Sequence, residues 1–273
     1  MIVIGHAHRY PWLEIATQGQ CKTWIPEFIQ AGCDVNYAFS TSLGRFALHV
    51  DKFDLKLRYE SGPHISTLRN RTNSLFARPF LNSVPQVTKK ANTFGPVALN
   101  TLEIGVPDLY LTSRWKRLSI LSYFLQSDIY KYLVFTTTSS YLNLEKLLSD
   151  VSGLKQGHLG GKVISENLSD SFISGSFAVY SRDVAHLLLS TRNNIPVNLL
   201  DDVSFAHGQK KADIGIHKMS SLDIPTLPIL EATTILDLQN HSHFRLKSVE
   251  NNKRNDILLM KRLHERIKEI NYG

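Results

Sequence analysis

Three stretches of this chain place polar or acidic residues where a fold could put them to chemical use. In residues 130–143 the apolar run Tyr132-Leu-Val-Phe135 leads straight into five hydroxyl residues, Thr136 to Ser140. Hydroxyls at the carboxyl end of a strand can hydrogen-bond a sugar or a phosphate; they can also build a turn that caps the next helix. In residues 172–183, Gly175 interrupts an otherwise apolar run. A glycine inside a strand marks a bulge or a place where something approaches the backbone closely. In residues 199–203 two adjacent carboxylates, Asp201 and Asp202, follow Leu199-Leu200 and open a helical stretch. Acidic residues suit a helix start, and one that faces a cleft can serve as a general base.

Two histidine pairs offer a competing chemistry. His6-Ala-His8 ends the first apolar run, and His241-Ser-His243 lies near the C-terminus. Side chains two apart on a strand share a face, so each pair could ligate a metal, as in hydrolases that begin with such a pair. A barrel of that kind needs eight regular strand–helix units, which the polar region 62–107 does not supply. Besides this metal-dependent hydrolase, the alternative is a non-catalytic carbohydrate- or nucleotide-binding protein.

The elements that must position these residues follow from periodicity. Residues 1–5 form a short apolar strand. Residues 12–31 are partly helical, stopped by Ala31-Gly32, and residues 34–39 form a second strand. Alternation over residues 53–59 (Phe53, Leu55, Leu57, Tyr59) suggests a third, with one wet face. Residues 62–107, rich in Asn, Ser, Thr, Pro and Arg, read as a long loop-dominated connection over a ligand site. Then come a helix over 110–125, a buried strand over 130–135, a helix over 143–151, and a strand over 172–180. A helix over 182–189 is capped by Ser181, and another starts at Asp201. Apolar residues three to four apart over 253–270 make a closing amphipathic helix. Strands alternating with helices predict a single α/β domain around a mixed, mostly parallel sheet, with ligands beyond the carboxyl ends of its strands.

At 273 residues the chain can bury a core without disulfides or structural metal, and Cys21 and Cys33 read as reduced thiols. The net charge of +7 favours anionic partners. The basic residues are spread out, with no aromatic-interleaved tract, so nucleic acid is not expected as a partner. No stretch reaches the length of a membrane span, and no signal-peptide core is present. A cytoplasmic location is the expectation, with peripheral membrane contact left open.

Taken in order, the three stretches resemble the fringe-like, β-1,3-galactosyltransferase type of inverting glycosyltransferase, which has the GT-A fold. Residues 136–143 match that family's Thr-Asp-Asp-Asp-x-Phe-Val-Asn in length and frame, with Thr136, Tyr141 and Asn143 as Thr, Phe and Asn. Gly175 to Ser181 match its glycine-rich strand in length, with Phe177 and Ala178 in place of Gly and Tyr. Asp201-Asp202-Val203 match Glu-Asp-Val, and Thr23-Trp24 resembles the Thr-Trp ending its first helix. The resemblance spans residues 1–250. It implies transfer of a sugar, with inversion, from a nucleotide diphosphate sugar (UDP-linked) to a glycan hydroxyl. Asp202 would be the catalytic base. Thr136, Thr137, Thr138, Ser139, Gly175 and Asp201 would line the donor site, together with Arg9, Arg245 and Lys247. The family's three acidic residues, which hold a divalent cation, are replaced by Thr137, Thr138 and Ser139. Neutral hydroxyls are poor ligands for Mg²⁺ or Mn²⁺. The expectation is therefore a weakly held cation or none, with His243 as one nitrogen ligand and Arg245 and Lys247 neutralising the diphosphate.

Overall fold

The computed structural model describes residues 1–6, 13–41, 84–94, 97–107, 113–164, 171–196, 201–248 and 254–272. Its strands are β1 (Ile2–His6), β2 (Asp34–Thr41), β3 (Val87–Phe94), β4 (Val97–Pro107), β5 (Tyr132–Thr137), β6 (Ser140–Leu142), β7 (His158–Ile164), β8 (Phe172–Ser181), β9 (Gly215–Lys218), β10 (Ser221–Asp223) and β11 (His243–Arg245). Its α-helices are α1 (Ile25–Gln30), α2 (Ser113–Leu125), α3 (Leu144–Ser152), α4 (Arg182–Ser190), α5 (Asp201–Lys211), α6 (Leu227–Ala232), α7 (Ile235–Asn240) and α8 (Asp256–Tyr272).

An eight-stranded sheet runs in the order β3-β4-β2-β1-β5-β8-β7-β9. Strands β1, β2, β4, β5, β7 and β9 point one way, and β3 and β8 the other. This is the mixed, mostly parallel α/β sheet expected. Alternate residues face opposite layers. Val3, Tyr37, Val134 and Phe177 pack with Trp24 and Phe28 and with Met260 and Leu263 of α8. Ile4, Leu133, Phe135 and Tyr180 pack with Leu118 and Leu121 of α2, Val184 of α4 and Phe205 of α5. With both faces covered, the central strands read as near-continuous apolar runs.

A smaller sheet, β10-β11-β6, leans on this frame. Strand β6 begins two residues after β5 ends, so the turn between them carries the chain from one sheet to the other. Strand β11 pairs antiparallel with β6, setting Arg245 opposite Ser140 and His243 opposite Leu142.

Two expectations fail here. Residues 87–107 are not loop: β3 and β4 form an antiparallel pair at the edge of the large sheet. In β3, residues 88–93 are exposed, so the strand shows no apolar alternation and its polar composition imitates a loop. Ser181 has cap backbone geometry but makes no side-chain cap bond. Asn143, by contrast, caps α3 by accepting from Lys146 N–H at 3.3 Å. The strand expected over 53–59 lies outside the described residues.

Helix α8 brings a pH dependence. The Nδ1 of His264 sits 2.9 Å from the Tyr141 hydroxyl, which donates to a neutral ring. Burial, then Lys268, lowers its pKa from 6.5 to about 4 against the pull of Glu265. Between those values the unfolded chain binds a proton that the fold refuses, so stability falls as pH drops through this window. Denaturant unfolding should show a falling midpoint from neutral pH to about pH 4.5, and His264→Gln should flatten part of the fall. An equally steep fall in the variant would assign the effect to other groups.

Candidate active site

The sheet topology gathers three of the sequence signals at one edge. The last residues of β1 and β5, His6 and Thr137, stand side by side. Strand β8 runs antiparallel to β5, with Phe177 opposite Thr136, so Gly175 falls just beyond the carboxyl end of β5. Helix α5 packs on β8 and begins with Asp201 and Asp202. Of Asp201 only the helical backbone is described.

Asp202 is held by the glycine. Its Oδ2 accepts the Gly175 N–H at 2.9 Å. A Cβ built on Gly175 would lie 2.8 Å from Asp202 Oδ1 and 3.3 Å from Cγ. The close approach inferred at Gly175 is therefore made by this carboxylate, which corrects the idea that the glycine opens the backbone to a ligand. His6 approaches the next peptide, with Nε2 3.4 Å from the Gly175 carbonyl and its ring stacked on Phe135 at 4.2 Å. Gly175→Ala should leave the fold intact, because the obstructed group is the end of a side chain. It should displace the carboxylate and cost most of the activity. Full activity in this variant would separate Asp202 from the chemistry.

The hydroxyl stretch divides. Thr136 is fully buried and donates to the Ser176 carbonyl at 3.3 Å, so it belongs to the core and not to a donor pocket. Thr138 and Ser139 are also buried, whereas Thr137 is half-buried. Thr137 Oγ1 accepts from Arg245 Nη1 at 2.9 Å. Ser139 Oγ accepts from Arg254 Nη2 at 2.6 Å, and the Ser139 carbonyl accepts the Leu246 N–H at 2.8 Å. Residues more than a hundred positions apart meet here because β11 pairs with β6.

The two arginines differ in charge balance. Arg254 Nε donates to Asp256 Oδ1 at 2.7 Å, and its Nη2 also bonds that carboxylate, so its charge is largely matched. Arg245 has Thr137 as its hydrogen-bond partner and no carboxylate at ion-pair distance among the described residues. Burial presses its pKa below the ordinary value and Arg254 adds to this, while Asp223, Asp256 and Asp202 pull upward from a distance. An arginine stays charged under such pressure, so this end of the sheet presents a cation in need of an anion. Lys247 is exposed nearby, and burial together with Arg245 and Arg254 lowers its pKa. Arg9 lies outside the described residues.

His243 does not suit a metal. It is fully buried and stacked on Phe177 at 4.6 Å. Its Nδ1 lies 2.7 Å from Ser221 Oγ and its Nε2 3.0 Å from Ser140 Oγ, so both nitrogens are engaged. Burial first, then Arg245 and Lys162, hold its pKa well below the usual value. A divalent cation fits the hydroxyl turn no better: it would meet neutral oxygens, two of which, Thr137 Oγ1 and Ser139 Oγ, already accept guanidinium hydrogens. Among the described residues no three of His, Cys, Asp and Glu are grouped to hold a metal ion. Of the paired histidines, His8 is outside the described residues, and His241 Nδ1 lies 2.6 Å from the Asp237 carbonyl.

Two participants escaped the sequence reading. Arg254 stands just before α8 in a basic stretch, Lys253-Arg254, which was a usable signal. Gln20, whose amide reaches the hydroxyl turn from the other side, is one polar residue in a mixed segment and gave none.

No protein-family model matches the chain, and no curated protein matches it in sequence. Among solved structures it is similar to a glycosyltransferase involved in the glycosylation of the major capsid of PBCV-1, at 8% identity and a TM-score of 0.39, over 97% of this chain and 98% of that one. It is also similar to mouse xyloside xylosyltransferase 1, at 8% identity and a TM-score of 0.39, over 89% of this chain and 96% of that one.

Proposed function

We propose that the chain is an inverting glycosyltransferase that uses a nucleotide diphosphate sugar, UDP-linked, and a glycan hydroxyl as acceptor. The observation that carries this reading is the presence, at the carboxyl edge of the sheet, of a seated carboxylate and a guanidinium that makes no ion pair among the described residues. Asp202 is fixed by the Gly175 N–H, and Arg245 is fixed on Thr137. A carboxylate held in place suits the removal of a proton from an attacking hydroxyl. A cation with no ion-pair partner among the described residues suits the charge that collects on a departing diphosphate.

In this reaction the acceptor oxygen bonds to the anomeric carbon as the bond from that carbon to the phosphate oxygen breaks. The acceptor proton passes to Asp202, and the electron pair leaves with the diphosphate. Arg245 donates to the diphosphate, with Lys247 adding charge from the surface. The donor set does not fit a divalent cation, so no step passes through one.

Thermal unfolding in the presence of UDP, GDP, CDP and pyrophosphate tests the donor class. A ligand at a hundred times its Kd stabilises the native state by about 2.7 kcal/mol, which raises Tm by several degrees. UDP is expected to give the largest shift, and the matching UDP-sugar to be turned over with a suitable glycan. Binding without turnover would favour the non-catalytic nucleotide-binding reading; no shift with any of the four would remove the donor assignment.

A further inference from the structure

The hydroxyl turn between β5 and β6 is latched from beneath by one buried amide. Gln20 is fully buried, in the 3₁₀ turn Gln20–Lys22 that follows a π-helical turn over Ile15–Gly19. Its Nε2 donates to the Thr137 carbonyl at 3.0 Å and to the Ser140 carbonyl at 2.8 Å. These carbonyls bracket Thr138 and Ser139. The other end of the amide is anchored by a third bond: the Tyr37 hydroxyl, on β2, donates to Gln20 Oε1 at 2.5 Å. The two carbonyls, which can only accept, set the NH₂ end toward the turn, since a flipped amide would place its oxygen against both of them, and Oε1 is left to take the Tyr37 hydrogen. Tyr37 is itself buried. Trp24 Nε1 adds a bond to the Ser140 carbonyl at 3.2 Å.

We infer that Gln20, anchored by Tyr37, is the positioning residue of the Thr137–Ser140 turn, fixing the turn's backbone so that Thr137 and Ser139 meet the two arginines. This rests on the nucleotide diphosphate reading of the site. With both carbonyls tied, Thr137 Oγ1 is held at the place where it accepts from Arg245, and the guanidinium is aimed before any ligand arrives. A loosened turn lets Arg245 sample positions away from the phosphates. Such preorganisation is worth most where a charged group must be aimed within a fraction of an ångström.

Two variants and a control separate positioning from stability. Gln20→Met keeps the volume and removes the amide; Tyr37→Phe keeps the amide and removes the hydrogen bond that anchors its oxygen. Gln209→Met is the control. That buried amide also serves two carbonyls, Ile214 at 3.2 Å and Gly215 at 3.4 Å, but at the far end of α5. UDP affinity is measured by calorimetry, and amide hydrogen exchange across residues 137–141 is followed in the ligand-free proteins. The expected result is UDP affinity down about tenfold in Gln20→Met and less in Tyr37→Phe, with faster exchange in the turn. Gln209→Met should lower Tm without either change. Unaltered UDP affinity in both site variants, or an equal loss in Gln209→Met, would overturn the inference while leaving the donor reading standing. Absence of UDP binding in the wild type would overturn both.

Discussion

Asp202→Asn should lower turnover of the nucleotide sugar about 10²–10⁴-fold, the usual contribution of a well-placed general base, while UDP affinity stays near that of the wild type. Asparagine keeps the size of the side chain and an oxygen for the Gly175 N–H, which Asp202 Oδ2 accepts at 2.9 Å. What it loses is the ability to take a proton. The substitution therefore acts on the step in which the acceptor hydroxyl attacks and not on the donor. Combination with Gly175→Ala sharpens the test. Each change disables the same carboxylate, one by neutralising it and one by displacing it, so their effects should not add. Wild-type turnover in Asp202→Asn would move the base elsewhere, and His6, at the carbonyl of the same glycine, would be the next residue to substitute. Additive losses in the double variant would show that Gly175 does something besides seating Asp202.

The parts of this architecture that were legible in sequence are those where burial leaves a periodic mark. Strands β1, β5 and β8 sit between two packed layers and read as apolar runs; α8 covers one layer and reads as an amphipathic stripe. The order of the three polar stretches along the chain was also informative: the first follows the apolar run of β5, the second lies within β8, and the third opens α5. Strand β3 left no mark, because its side chains are exposed and its edge position needs only backbone pairing. The short strands of the small sheet were missed for a related reason: three residues are too few for a period. That omission hid the main feature of the site. Without β11 paired to β6, nothing in the sequence placed Arg245 on Thr137, and His243 read as a ligand when it is a buried spacer between Ser140 and Ser221. Thr136 illustrates the same limit within a strand. It belongs to the hydroxyl run by composition, but strand alternation turns it into the core while Thr137 faces the arginine.

Arg245→Ala should lower turnover about 10²–10³-fold, the scale set by loss of one preorganised donor to a developing negative charge, whereas excess EDTA should leave the wild type unchanged. The two results belong together. If a divalent cation carried the diphosphate, removing the cation would abolish activity and removing one arginine would matter less. The geometry argues for the reverse: Thr137 Oγ1 accepts a hydrogen from Arg245 Nη1 at 2.9 Å, so a cation bound there would sit against a guanidinium. Arg245→Lys should recover only part of the loss, because an ammonium keeps the charge but not the planar fork that meets two phosphate oxygens at once. Thr137→Asp gives a further reading. Restoring a carboxylate at this position should not create a metal-activated enzyme. The new carboxylate would pair with Arg245 and consume the charge intended for the diphosphate, so UDP affinity should fall, and added Mn²⁺ should not restore it. Abolition of wild-type activity by EDTA with recovery in Mn²⁺, or a gain of Mn²⁺-dependent activity in Thr137→Asp, would show that the turn holds a cation after all and would reduce Arg245 to a neighbour of the site.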